Sequence, residues 1–187
     1  QHTRRFVRAF WALDRQLANA RHYPSISWLD SYSEYADEVR PWWEERVGPE
    51  WTADRAEMVG LLRKEVRLLQ VAKLVGSDAL PDSQRFVIEV CSLFKDAFLR
   101  QDAFDEVDRY TSPEKQARML ALVLLYWRRG SLAIKKGATF VELRRVKAVR
   151  DIVSARYAIA EGDDKAFDRV AARLERAIDD LEGDYGR

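Results

Sequence analysis

The sequence is poor in the residues that most often carry chemistry. One cysteine and two histidines occur in 187 residues, so an internal disulfide is excluded and a reducing compartment is favoured. A metal site is disfavoured because His2 and His22 lie far along the chain from Cys91. Glycine (8) and proline (5) are also scarce. This scarcity is typical of a helix-rich globular chain and not of a disordered one.

The motifs of several enzyme classes are missing as well. The chain has no GxxxxGK[ST] phosphate loop, no GxGxxG and no GxSxG. A thiol nucleophile would have to pair Cys91 with His22, and a small buried core residue is the favoured interpretation of Cys91. Paired carboxylates could come from one acidic segment, for which a solvated turn between two helices is favoured (Asp102, Asp105, Glu106, Asp108). The longest apolar run, Met119–Trp127, is too short to span a bilayer.

The charge balance gives no global attraction to nucleic acid, since the formal net charge is +1. One stretch is locally basic and contains a single acid, Glu142; its cations are Arg128, Arg129, Lys135, Lys136, Arg144, Arg145, Lys147 and Arg150. Aromatic residues do not interleave with these cations. A solvated face or an acidic protein partner is therefore favoured over a nucleic-acid patch. The alternative function is a free-standing helical interaction module that binds nucleic acid through residues 128–150.

Hydrophobic periodicity predicts an all-α fold, a helical bundle with an irregular N-terminal third. Two helices are predicted in the N-terminal third: Arg4–Ala20, and a weak one over Tyr32–Val39 that stops at Pro41. The next three are predicted from Thr52 up to Gly76, from Pro81 onward, and from the cap at Ser112–Pro113 onward. The last two are Phe140–Ala158 and Lys165–Leu181. A short extended stretch is predicted over Pro24–Leu29. The helix that contains Met119–Trp127 is apolar nearly all round and is expected at the centre of the bundle.

Aromatic residues concentrate where the chain is least regular. The stretch from Arg21 to Trp51 holds four of six tryptophans and three of seven tyrosines, together with three prolines. Such a cluster is compatible with a core, a stacking platform for a planar ligand or a seam to another domain. If it is a joint to a further domain, part of this aromatic surface is expected to be exposed or paired with another copy.

Several unusual strings resemble one family in the same order. FWALDRQLANARHYPSISWLDSYS is similar to the end of the nucleotide-binding domain in the catalytic A subunit (alpha chain) of V/A-type rotary ATPases. PWWEERVGPEW, VGSDALPDSQ and FLRQDAFDEVDRYTSPEKQ then follow. The resemblance implies that residues 1–30 are the tail of the nucleotide-binding domain and residues 31–187 the C-terminal helical bundle. The chain opens on Gln1 and not on Met, and we expect it to be part of a longer polypeptide with the phosphate loop upstream.

The resemblance also implies site residues. It places Tyr23 and Phe104 on the two sides of an adenine ring, where each stack contributes about 1–3 kcal/mol. Without the resemblance, the favoured interpretation is that both rings fill the junction between the domain and the bundle. It aligns a second segment with the rotor-facing acidic loop of F-type subunits, although an ordinary interhelical turn remains an alternative (Asp78, Ala79, Leu80, Pro81, Asp82, Ser83, Gln84). Only two of these seven residues are acidic, so contact by shape is expected more than contact by charge.

The implied cofactors and partners belong to the intact protein. ATP or ADP with Mg²⁺ would bind there, no catalytic residue is expected in this chain, and no cofactor is expected to bind the chain tightly. The implied partners are the B subunits of the hexameric ring, the central stalk subunits and the upstream part of the A subunit. The resemblance implies a cytoplasmic head, peripheral to the membrane without direct insertion, that couples ATP hydrolysis or synthesis to proton or sodium transport. Nucleic acid is not an expected partner.

Overall fold

The computed structural model describes residues 7–183 and residue 185, and it confirms a helical bundle preceded by an irregular N-terminal segment. The elements in chain order are β1 (Ala9–Leu13), α1 (Arg15–Asn19), β2 (Ile26–Ser33), α2 (Ala36–Val47), α3 (Trp51–Val75), α4 (Asp82–Phe94), α5 (Pro113–Lys136), α6 (Phe140–Arg144), α7 (Val149–Ala158) and α8 (Asp164–Gly183). None of the helices within these residues is both long and apolar enough to cross a bilayer.

The N-terminal segment is a β-hairpin, so the helix predicted over Arg4–Ala20 is wrong across β1; its first residues lie outside the described chain. β1 pairs antiparallel with β2 from Ala9 opposite Ser33 to Leu13 opposite Ile26. The Asp14 carboxylate then accepts the backbone N–H groups of the next turn and starts the short α1. The apolar residues of β1 fit both a helical and a strand period. Pairing with the distant β2 decides between the two periods.

β2 and α2 also differ from their predicted bounds. The extended stretch expected over Pro24–Leu29 is present but continues to Ser33, so a domain boundary after residue 30 falls inside β2. α2 continues past Pro41 to Val47. Proline removes one backbone donor from the helix. The helix continues beyond it to Trp43, whose ring stacks on Trp51 at 4.8 Å between centroids.

α5 occupies the centre of the bundle, as predicted. Its buried side chains contact α3, α4, α7 and α8 (Met119, Leu120, Leu122, Val123, Leu124, Tyr126). The helix begins at the predicted cap, where the Ser112 hydroxyl accepts the N–H of Lys115 at 3.1 Å. Gly130 faces the ring of Phe86 so closely that a Cβ atom would overlap it. Glycine therefore allows α4 and α5 to approach each other.

The helix predicted over Phe140–Ala158 is two helices, α6 and α7, separated by a turn. α6 starts with a capping box, in which the Thr139 hydroxyl and the Glu142 carboxylate each accept the other residue's backbone N–H. α6 is only five residues long, and the turn after it redirects the chain. α8 closes the bundle by packing its apolar face against α5.

Candidate functional site

Tyr23 and Phe104, 81 positions apart in sequence, line one open cleft of about 510 Å³. The cleft lies between the loop that joins α1 to β2 and the loop of residues 100–112 that precedes α5. The backbone N–H of Gln101 donates to the carbonyl oxygen of Tyr23 at 2.8 Å. This hydrogen bond ties the two loops together and holds the two aromatic residues on the same side of the molecule.

Both rings point outward. Phe104 is 98% exposed and Tyr23 53% exposed, so neither ring fills a junction within the described chain. A fully exposed phenylalanine gains nothing from burial, and surfaces of this kind often mark a binding site. Tyr35 and Trp42 are also exposed. Part of the aromatic surface is thus uncovered, as expected for a joint to another domain.

The loop that carries Phe104 is held by carboxylates. The Asp102 side chain accepts the N–H of Phe104 at 2.9 Å. The Asp105 side chain accepts the N–H groups of Asp108 (2.8 Å) and Val107 (2.9 Å), and these two hydrogen bonds hold the pKa of Asp105 below its usual value. Phe104 therefore projects from an ordered turn.

The prediction that this acidic segment is solvated is wrong for Asp108, which is 2% exposed. Its carboxylate accepts the N–H of Asp102 at 2.7 Å and forms an ion pair with Arg156 of α7. A buried carboxylate requires such partners because the loss of hydration is costly. Arg156 also donates to the carbonyl oxygen of Arg100 at 3.2 Å. It thereby joins α7 to both sides of the loop.

The cleft is positively charged. Arg21, Arg100 and Arg156 line it, with Asp102 as the acid of the lining, and Arg156 is paired with Asp108 behind it. His22 lies next to it and is 8% exposed, and its Nε2 has no hydrogen-bond partner in the part of the chain that the structure describes. Burial lowers the pKa of His22, so its imidazole is neutral at pH 7. The site therefore offers exposed rings, guanidinium groups and a neutral histidine behind them.

An ion pair of the bundle also contacts the hairpin. The Lys95 ammonium group donates to both carboxylate oxygens of Glu65 at 2.6 and 2.7 Å, and Glu65 is 4% exposed. The same ammonium lies 5.5 Å from the ring centroid of Trp28 in β2. The edge of the His22 ring packs on Trp28 at 5.7 Å. This chain of contacts runs from the cleft to the middle of α3.

The second candidate site, the turn Asp78–Gln84, lies at the other end of α4. α4, about 20 Å long at 1.5 Å per residue, and the π-helical turn Lys95–Leu99 lie between it and the cleft. Leu80 is buried and anchors the turn, whereas the other six residues are wholly or partly exposed. Arg85 lies 3.6 Å from the Asp78 carboxylate and 3.8 Å from that of Asp82. The two acids are therefore partly neutralised within the turn.

Sequence reasoning missed two residues beside this turn. Leu74 is 86% exposed and Val75 is 59% exposed at the end of α3. They extend the apolar pattern of α3 into its last turn, which the other helices of the bundle do not cover. Four arginines and lysines upstream on the exposed side of α3 have no carboxylate within 4.0 Å among the described residues (Arg63, Lys64, Arg67, Lys73).

The remaining chemical candidates are Cys91 and His2. Cys91 is buried, and burial raises the pKa of its thiol to about 12, which confirms its assignment as a core residue. Within residues 7–183 and 185, no group of three or more His, Cys, Asp or Glu side chains could hold a metal ion. His2 lies outside those residues.

Comparison with known proteins gives a consistent result. Residues 40–144 match the family model of the C-terminal domain of V and A type ATP synthase. The chain is 38% identical over 185 residues to a V-type ATP synthase alpha chain of Halothermothrix orenii, covering 99% of the chain and 31% of the relative. It is 43% identical over 155 residues to the A subunit of an A-type ATP synthase from Methanococcus vannielii, covering 83% of the chain and 26% of the relative. It thus spans less than a third of the length of these relatives.

Proposed function

The chain belongs to the C-terminal domain family of V- and A-type ATP synthases, and from this premise we propose that it acts as a two-ended lever in the catalytic A subunit. One end contacts the adenine ring of ATP or ADP, and the other contacts the central stalk. The observation that carries the proposal is the shared cleft of Tyr23 and Phe104. The phosphate loop, the Mg²⁺ ligands and the B-subunit contacts would come from the rest of the complex.

The adenine end rests on geometry and charge. Two exposed rings on one cleft can stack on the faces of a base, and the nearby arginines favour an anionic ligand. The hydrogen bond from Gln101 to Tyr23 and the Asp108–Arg156 pair hold the two loops before any ligand arrives. Such preorganisation reduces the entropy lost on binding.

The adenine end is tested in the assembled ATPase. Tyr23→Ala and Phe104→Ala each remove one stack, which lowers affinity for ATP by roughly 5- to 150-fold. Tyr110→Ala is the matched control, because Tyr110 is 67% exposed near the same loop but does not line the cleft. Nucleotide titration that gives unchanged affinity for both cleft variants contradicts the proposal. The isolated chain is expected to show no ATPase activity, since it has no phosphate loop.

The stalk end rests on exposed apolar residues beside a rigid turn. Leu74 and Val75 precede the turn, Leu80 anchors it, and Asp82 accepts the N–H of Phe140 at 3.0 Å. A packed turn transmits force better than a mobile loop. The internal pairing of both acids with an arginine favours contact through shape and apolar area over contact through negative charge.

The stalk end is tested by polar substitution in the same complex. Leu74→Ser with Val75→Ser removes apolar contact, so ATP hydrolysis continues while ATP-driven ion transport falls. Leu132→Ser is the control, because Leu132 is 48% exposed on α5 and lies outside the turn. Full coupling in the α3 variant, measured as ions moved per ATP hydrolysed, argues against stalk contact at this end.

Nucleotide binding would reach the stalk through the contacts between the two ends. Trp28, Lys95 and Glu65 connect the hairpin to α3, and α3 leads directly to the turn. A shift of the hairpin on nucleotide binding would thus act on α3. In this proposal the chain transmits force, and the chemistry of ATP lies elsewhere in the complex.

A further inference from the structure

A second concave surface lies away from both ends of the lever. It is a groove of about 550 Å³ between the C-terminal half of α4 and the turn that joins α6 to α7. Its floor is apolar, with Leu93 and Val146 buried and Val149 and Val153 half-buried. We call this surface the α4–α7 groove.

The rim of the α4–α7 groove is strongly basic. Arg144, Arg145, Lys147 and Arg150 are all exposed there. Arg144 lies 3.8 Å from Glu89, and the other three have no carboxylate within 4.0 Å in the described part of the chain. Asp96 lies on the opposite rim and, with Glu89, supplies the acids of the groove lining.

The unpaired positive charge of the rim is not shared by the whole basic stretch of residues 128–150. Arg128 and Arg129 of that stretch are paired with acids of neighbouring helices, the first with Glu57 at 2.6 Å and the second with Asp179. Lys136 pairs with Glu182 at 2.6 Å. The uncompensated cations of the stretch therefore concentrate beside the groove. Three of them line it, and Lys135 is the exception.

We propose that the α4–α7 groove binds an acidic segment of a partner protein, with carboxylates on the basic rim and apolar side chains on the valine floor. The apolar floor favours a polypeptide, since a phosphate backbone has no group to bury there. The described residues that line the groove include no aromatic side chain on which a base could stack. The site is independent of the adenine and stalk contacts.

The test uses the 187-residue chain and a fluorescein-labelled peptide of four Glu-Glu-Leu repeats, with binding followed by anisotropy. Reversal of the three unpaired rim cations (Arg145→Glu, Lys147→Glu, Arg150→Glu) lowers affinity by at least about tenfold. The matched control reverses three unpaired cations on α3 (Arg63→Glu, Lys64→Glu, Arg67→Glu) and lowers affinity by at most about twofold. If charge reversal disturbs folding, the corresponding glutamine variants are used instead, and the groove variant again loses more affinity than the α3 variant.

Two further measurements distinguish the contribution of the apolar floor from that of the basic rim, and binding of protein from binding of nucleic acid. Val153→Asn weakens binding of the Glu-Glu-Leu peptide but not the residual binding of a glutamate-only peptide of equal length. Equal losses in the groove and α3 variants overturn the proposal, because they indicate unspecific attraction. It is also overturned if the peptide does not bind, or if a single-stranded DNA dodecamer binds more tightly and loses affinity in the groove variant.

Discussion

The buried Glu65–Lys95 pair should respond asymmetrically to the loss of either partner. Lys95→Met leaves the Glu65 carboxylate without its donor at a position that is 4% exposed. Glu65→Leu leaves an ammonium group whose side chain is 25% exposed and which can turn to water or remain over Trp28. The two single variants remove the same contact, but a different charged group is left without its partner in each.

The magnitudes follow from this difference in exposure. Breaking a buried pair on the side that leaves an uncompensated charge costs about 3–5 kcal/mol, so Lys95→Met lowers the free energy of unfolding by that amount. Glu65→Leu costs about 1–2 kcal/mol, because the remaining ammonium keeps part of its hydration. The double variant replaces the pair by apolar side chains and returns to within about 1 kcal/mol of the wild type.

The assay is a double-mutant cycle from urea unfolding, followed by circular dichroism and by tryptophan fluorescence. For a chain of this size, the Lys95→Met cost corresponds to a melting temperature lower by about 6–20 °C. The reasoning is refuted if Glu65→Leu is as destabilising as Lys95→Met, or if the double variant is no more stable than the worse single variant.

Three other residues give further predictions. Asp108→Ala destabilises the chain by about 3–5 kcal/mol in urea unfolding because it leaves Arg156, with its side chain 14% exposed, without a carboxylate. Gly130→Ala destabilises the chain by up to about 2 kcal/mol, because overlap with Phe86 costs about 1–3 kcal/mol and the better helix propensity of alanine offsets roughly 1 kcal/mol. Hydrogen bonds from Tyr185 and Thr139 lower the pKa of Glu142 from 4.5 to about 2. Its contribution to stability is therefore complete above pH 4.5 and is lost as the pH falls toward 2, and Glu142→Gln should flatten the stability profile in that window.

Local signals predicted much of the bundle. The cap at Ser112, the stop at Gly76 and the start at Pro81 depend on residues within one turn of each other, and the structure has a helix end at or within one residue of each. The hairpin was not predicted, because the pairing of Ala9 with Ser33 joins positions 24 residues apart. Apolar spacing in β1 does not distinguish between the two periods.

The site was predictable only in part, for the same reason. The pairing of Tyr23 with Phe104 came from the resemblance to a family and not from spacing; both residues line one cleft, and their contact with adenine stays a prediction. The burial of Asp108 depends on Arg156, 48 residues away, so an acidic segment in the sequence looks solvated. The exposure of Leu74 depends on where the bundle stops covering α3. The apolar periodicity of α3 does not show where that coverage ends.

The hairpin has a consequence for handling the chain in solution. Among residues 7–183, β1 pairs with β2 alone, so no third strand covers its outer edge. Trp11 is 74% and Leu13 83% exposed on the same strand. An uncovered edge with large apolar side chains is a template for intermolecular strand addition. Concentrated samples of the chain should therefore aggregate from the hairpin first, and a lysine in place of Trp11 would keep them soluble for longer.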